Sequence, residues 1–290
     1  MQFALQYHGL FIGLFSGFRR CLCRLIRICR IAERQRTKGE KKQDFFYDYF
    51  DLGAKLLKNL HICKKFCNFV AGKMSREEKA NTWTHLVPLV ATLGIAGPMM
   101  VLAVQCQMSN FLSQGNDYCK FQIVGTALFL FGMVLMFLSS TLYHAVTKPK
   151  AKARLRIFDH ISIYVMIAGS YSLICLSVVG GWMGWTLFAF LWACVLAGAI
   201  GKFIALGKFP KLSLALYLAM GWVAVLILYP MWLHMPHAAF AWILAEGAFY
   251  TIGSYFFNHD EEHAYWHAIW HVFITLGAAS HTIATWLILS

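Results

Sequence analysis

Residues 160–201 decide the fold class; they read HISIYVMIAGSYSLICLSVVGGWMGWTLFAFLWACVLAGAIG and contain no Lys, Arg, Asp or Glu. A transmembrane helix needs about 20 consecutive apolar residues. This stretch is therefore about twice as long as one span and predicts two membrane helices, separated only by Gly180 and Gly181.

Further apolar runs of similar length extend on both sides of this stretch. The chain is 59% hydrophobic and 13% charged, whereas soluble domains carry about a quarter charged residues. We therefore predict an all-α membrane protein, a seven-transmembrane helix bundle over residues 80–290. The expected spans are 83–104, 121–143, 160–179, 182–201, 212–232, 238–257 and 265–288.

The position of the positive charge predicts the topology. The net charge is +13; 17 of the 26 Lys and Arg lie in residues 1–79 and five more in the predicted loop 148–156. Basic residues beside apolar spans mark the cytoplasmic side of a membrane, and no basic, aromatic-laced groove indicates nucleic acid. The expectation is a multi-pass protein of the plasma membrane, with the N-terminus cytoplasmic and the C-terminus outside. The acidic loop 258–263 departs from this pattern.

Residues 1–79 form a basic cytoplasmic tail of a different kind. Arginines interleaved with apolar residues from 19 to 30 suit an amphipathic helix on anionic lipid headgroups. An unstructured tail fits equally well. Because Met74 lies just before the organised region, 1–73 is also compatible with an upstream extension of the reading frame.

Five polar residues fall at predicted cytoplasmic helix ends. Ser140 and His144 are four apart at the end of the second span, and His267 and His271 are four apart at the start of the seventh. Residues four apart share one helical face. Asp159 opens the third span, so these side chains are expected to lie at one depth.

In a catalytic zinc site, three protein ligands such as histidines hold the ion and the fourth position stays open for a water molecule, which the zinc activates. We predict Zn²⁺ on His144, His267 and His271. Asp159 is then a general base, a hydrogen-bond acceptor for the water or a water-mediated ligand, and Ser140 orients a neighbour or stabilises an oxyanion. A single histidine in a helix is more often a hydrogen-bonded core residue than a metal ligand. The prediction of a metal site therefore depends on the combination of the three histidines with Asp159.

Other polar residues allow a structural interpretation as well as a functional one. Glu78, Asn81 and His85 cap the first span and tie it to the site, or lie in a helix interface. Glu246, in the middle of a span, must be paired internally or protonated, and no partner is evident. His281 lies about 15 Å along the helix from His271, too far for the same metal, and is expected to bond between helices.

Together these pieces resemble the hemolysin III / progestin and adipoQ receptor family over about 75–290. The resemblance implies a seven-helix fold with zinc on the three histidines. It also implies activities that no spacing reveals: hydrolysis of lipid amides such as ceramide, receptor-like signalling, or haemolysis. The tail 1–73 has no matching counterpart, and Glu246 stands where a small residue is expected. The residues that match are Glu78, Asn81, His85, Ser140, His144, Asp159, His267, His271 and His281.

Three functions follow as hypotheses. The first is a zinc-dependent hydrolase that acts on lipid amides or esters in the bilayer. The second is a receptor or signalling protein in which the zinc is structural, and the third is a membrane-perturbing hemolysin. A catalytic zinc keeps one accessible position, whereas a structural zinc is closed by a fourth protein ligand.

Overall fold

A computed structural model describes residues 74–112, 121–205 and 210–290. The tail 1–73, with its predicted amphipathic helix and lipid headgroup contacts, lies outside the described residues. Helices are the regular structure in these three ranges. They are α1 Arg76–Leu112, α2 Gln122–Ala145, α3 Pro149–Leu173, α4 Gly181–Ala205, α5 Pro210–Trp222, α6 Leu228–His234, α7 His237–Asn258 and α8 Trp266–Leu289.

The described residues are helical, as the predicted all-α class requires. Among the described residues, six helical stretches are long and apolar enough to cross a membrane. The expected span 238–257 is also helical, as the 22-residue α7. It is less apolar because it carries Glu246 together with tyrosine, threonine, serine and glycine residues. Seven crossings and the orientation of the termini remain predictions.

The predicted division of 160–201 into two helices is confirmed. A π-helical turn, Ile174–Val179, continues α3. Gly180 and Gly181 then adopt φ values of 61° and 56°. Residues with a Cβ rarely adopt this left-handed region, so the two glycines allow the chain to reverse directly into α4.

Two helices begin more than one turn before the expected residue. The helix predicted from 83 begins at Arg76, where the Ser75 Oγ accepts a hydrogen bond from the Glu78 N–H at 3.1 Å. The helix predicted from 160 begins at Pro149, a residue that suits the first helical position. The segment 148–156 is therefore mostly helical rather than a loop.

The span predicted over 212–232 is interrupted in the structure. Between α5 and α6 lies a 3₁₀ segment, Val223–Ile227. The Tyr171 hydroxyl donates to the Gly221 carbonyl and accepts a hydrogen bond from the Ala224 N–H at 2.8 Å. A side chain inserted into a helical hydrogen-bond ladder bends or breaks the helix, so a residue of α3 explains the interruption.

The helices that carry the predicted site pack in one continuous series. α2 packs extensively on α1 and α3, and α8 packs on α7 and α1. Their shared core joins Leu89, Phe129, Phe137, Met166 and Ala278. Glycine makes the approach of α2 and α3 possible, since an added Cβ at Gly125 would lie 2.5 Å from the Leu173 Cα and one at Gly169 2.6 Å from the Leu128 carbonyl oxygen.

Replacing Gly125 by Ala is expected to destabilise the bundle by about 1–3 kcal/mol, the usual effect of overpacking. The new methyl group would meet the backbone of α3, which cannot rotate away. Gly94→Ala is the matched control, because a Cβ there meets nothing within 4 Å. Thermal unfolding in detergent should show a lower Tm for Gly125→Ala only; equal Tm values would contradict this packing.

Candidate metal centre

Three imidazoles meet at one end of the bundle. His144 comes from the last turn of α2, and His267 and His271 from the first turns of α8. One ring nitrogen from each lies within 4.8 Å of the other two. The structure thus brings together the histidines that the sequence predicts to converge, close enough to hold a metal ion.

Carboxylates orient two of the three rings. The His144 Nδ1 lies 2.6 Å from the Glu78 Oε2, and the His267 Nδ1 lies 2.6 Å from the Asp260 Oδ2. A carboxylate oxygen accepts, so each Nδ1 carries the proton and donates it. This is how histidines that bind metals are commonly held.

Backbone and hydroxyl oxygens orient the third ring. The His271 Nδ1 lies 3.2 Å from the Asn81 carbonyl oxygen and 3.0 Å from the Thr84 Oγ1. The Thr84 hydroxyl already donates to the Asn81 carbonyl at 2.9 Å. Both oxygens therefore act as acceptors toward His271, and its proton also sits on Nδ1.

The nitrogens left for a metal are the three Nε2 atoms, each with a free lone pair in this tautomer. The Nε2 of His144 is buried and has no hydrogen-bond partner within the described ranges. A buried, unpaired acceptor is costly. Its position beside two imidazoles in the same tautomer fits a bound divalent ion.

Asp159 and Ser140 lie next to each other at this centre. The Ser140 side chain and His267 both interact with the Asp159 carboxyl group. Ser140 is buried, whereas Asp159 is partly exposed. Asp159 is outside the group of three that can share one ion, a position compatible with acting through water.

Sequence reasoning missed Asp260 and Lys152. Asp260 belongs to the acidic loop 258–263, which stands out in the sequence only as an exception to the charge topology. It lies seven residues before His267, near the start of α8. The Lys152 Nζ lies 2.7 Å from the Glu78 Oε1. Glu78 therefore bridges His144 and a cation, tying α1, α2 and α3 together.

His85 lies directly against the centre without joining it. Its ring stacks on His271 with centroids 3.7 Å apart, and it contacts Phe137 edge-on. Both His85 nitrogens are buried without a hydrogen-bond partner among the described residues. The ring packs between α2 and α8, as expected for a residue that ties the first span to the site.

A pocket opens beside His144. Its volume is about 270 Å³, slightly below the range of about 300–1,000 Å³ that is common for small-molecule sites. The His267 side chain is 26% exposed, so the centre is not sealed from its surroundings. The pocket is lined by Met74, Ser75, Glu78, His144, Val146, Thr147 and Lys152.

Replacing Glu78 by Gln is expected to weaken metal binding by about 10- to 100-fold, the typical effect of losing a group that orients a ligand. The amide would accept the His144 proton less strongly and would leave Lys152 without its anion. Glu77→Gln is the matched control, because Glu77 is an exposed neighbour. Competition with a chelating dye measures both affinities, and equal values would exclude this role for Glu78.

Comparison with known proteins gives the family of the chain. A profile of the family described as Haemolysin-III related matches residues 74–282. The Hemolysin-3 homolog of Bacillus subtilis (strain 168) is 32% identical over 205 residues, 71% of this chain and 91% of that relative. Hemolysin-3 of Bacillus cereus is 31% identical over 204 residues, covering 70% and 88%. The Monocyte to macrophage differentiation factor of Homo sapiens is 28% identical over 219 residues, covering 72% and 83%.

Proposed function

Because the chain belongs to the haemolysin-III related family and is a multi-pass membrane protein, we propose that its histidine centre binds zinc and hydrolyses amide or ester bonds of membrane lipids. The observation that carries the proposal is the set of three close imidazoles, His144, His267 and His271, whose Nδ1 atoms are engaged in hydrogen bonds, which leaves the Nε2 lone pairs for a metal.

Zinc suits this donor set. Imidazole nitrogen is a preferred zinc ligand, and three histidines leave a fourth position for water or substrate. Imidazole also binds iron and copper. We prefer zinc because the proposed hydrolysis needs no change of oxidation state. When bound, zinc would act as a Lewis acid that polarises a carbonyl group and acidifies water.

The chain's own groups supply the proton handling. Asp159, partly exposed beside His267, would take a proton from the attacking water and return it to the leaving amine or alcohol. Ser140 would hold the Asp159 carboxyl group in place through its hydroxyl. Glu78 and Asp260 would keep the imidazoles in the tautomer that binds metal.

The location of the centre supports a lipid substrate. Glu78 begins α1, His144 ends α2 and His267 begins α8, so the centre lies at helix ends. The hydrocarbon core of a bilayer is about 30 Å thick and polar interfacial regions flank it. The amide and ester linkages of lipids lie in those regions, at the depth of helix ends.

A structural or membrane-perturbing role is the second candidate. One relative bears the name Hemolysin-3 and another the name Hemolysin-3 homolog. A metal here would join α2 to α8 whether or not it acts on a substrate. In that case Asp159 would contribute to the fold rather than to turnover. Leakage of liposomes that survives loss of the histidines would favour membrane perturbation.

The test uses the full chain in lipid nanodiscs that contain an N-acylsphingosine or a phosphatidylcholine. We expect fatty acid release that stops when a chelator removes the metal and returns when zinc is added. His263→Ala is the control and should keep this activity, because His263 is an exposed residue of the loop before α8 and is not one of the three proposed ligands. Protein that carries one zinc per chain and releases no fatty acid from either lipid class would refute hydrolysis.

A further inference from the structure

A second buried acid–base pair lies away from the metal centre. The Glu246 Oε2 on α7 and the His281 Nδ1 on α8 are 2.7 Å apart, with side-chain exposures of 10% and 2%. His281 follows His271 by ten residues, about 15 Å along α8. This identifies the partner that the sequence did not reveal for Glu246 and confirms His281 as a residue that bonds between helices.

Four polar atoms, one in this pair and three on nearby helix turns, have no hydrogen-bond partner within the described ranges. They are the His281 Nε2, the Tyr250 hydroxyl and the hydroxyls of Thr126 and Thr285, all buried. Thr285 lies one turn beyond His281 on α8. Thr126 lies one turn before Phe129 on α2, whose ring is 4.5 Å from the His281 ring.

Tyr250 lies on the same side as the pair. It follows Glu246 by one turn on α7, and its ring meets the open face of Gly277, one turn before His281 on α8. Glu246 interacts electrostatically with Tyr250 and with Tyr171 from α3. The Tyr171 hydroxyl already bonds to the backbone at Gly221 and Ala224. Of these two hydroxyls, that of Tyr250 is therefore the one that lacks a hydrogen-bond partner among the described residues.

The His281 Nε2 needs a partner in every protonation state. If the neutral ring donates from Nδ1 to the carboxylate, Nε2 is an acceptor that requires a donor. If the ring is charged, or if the Glu246 carboxyl group is protonated and donates to Nδ1, Nε2 carries a proton that requires an acceptor. Water can serve as either, and buried waters typically make about three hydrogen bonds to such groups.

We propose that Glu246, His281 and Tyr250 form a hydrated proton-binding site inside the bundle, whose ligand is water and whose proton is shared between the carboxyl group and the imidazole. An ionisable pair within a membrane span is costly unless it is solvated or paired, and such residues mark proton and ion pathways. The site is independent of the metal centre and does not rest on the proposed hydrolysis.

The test is solid-state NMR of the full chain in lipid nanodiscs, with ¹⁵N-labelled histidine and ¹³C-labelled glutamate. The His281 signal is the one lost in His281→Gln. Glu78→Gln checks this assignment. It removes the contact of His144 with Glu78, so the histidine–glutamate contact that remains among the described residues is that of His281 with Glu246.

The expected result is transfer of magnetisation from water to the His281 Nε2 and exchange of the Nδ1 proton when the nanodiscs are moved to deuterated buffer. Glu246→Gln should abolish the shared proton without lowering zinc content; Glu261→Gln, in an exposed loop, should change neither. A His281 ring without water contact and with an Nδ1 proton that resists exchange would overturn the proposal and leave a dry structural link.

Discussion

Replacing Asp159 by Asn is expected to lower lipid hydrolysis by about 10²- to 10⁴-fold, the usual contribution of a positioned acid–base group. The amide keeps the size of the side chain and a polar group facing Ser140 but cannot take a proton from water. Because Asp159 is outside the group that can share one ion, zinc content should stay near the wild-type value. Initial rates and metal analysis on the same preparations measure both effects.

Glu262→Gln provides the control for this experiment, since Glu262 is an exposed acid in the loop before α8. It should retain both activity and zinc. Loss of zinc in parallel with activity in Asp159→Asn would instead mean that Asp159 supports the metal, and the assignment as general base would be wrong.

Removing the metal is expected to lower the stability of the bundle by about 4 kcal/mol when zinc had been present at about 1,000 times its Kd. The reason is that one ion would join His144 of α2 to His267 and His271 of α8, and the unfolded chain does not hold these groups together. Thermal unfolding in detergent, with and without a chelator, measures the change as a shift in Tm.

His267→Ala distinguishes this effect from nonspecific action of the chelator. His267 is the least buried of the three ligands, so its loss should disturb packing least. The variant should have the Tm of the chelated wild type and should not respond to chelator or zinc. A Tm that falls on chelation in the variant as much as in the wild type would show that another site is responsible.

The membrane helices could be predicted from the sequence because hydropathy is a local property. Length and apolar composition located the helical stretches, and Gly180 and Gly181 marked the turn that the structure contains. The break between α5 and α6 could not be found in this way. It depends on Tyr171, a residue about 50 positions away whose side chain intrudes only in the folded bundle.

Part of the candidate site was predictable because two pairs of its residues are four positions apart on a helix. Ser140 with His144, and His267 with His271, share faces for this reason. Asp260 was missed because it sits in a loop, where spacing does not determine direction. The partner of Glu246 was missed as well, since a contact between α7 and α8 depends on how the helices pack and not on sequence distance.

The central claim is that three imidazoles from α2 and α8 hold one metal ion, and elemental analysis of the purified full chain tests it most directly. The wild type, prepared without chelators, should contain one zinc per chain, and His267→Ala should fall to background while His263→Ala should not. Wild-type protein without stoichiometric metal, or His267→Ala with an unchanged content, would contradict the account.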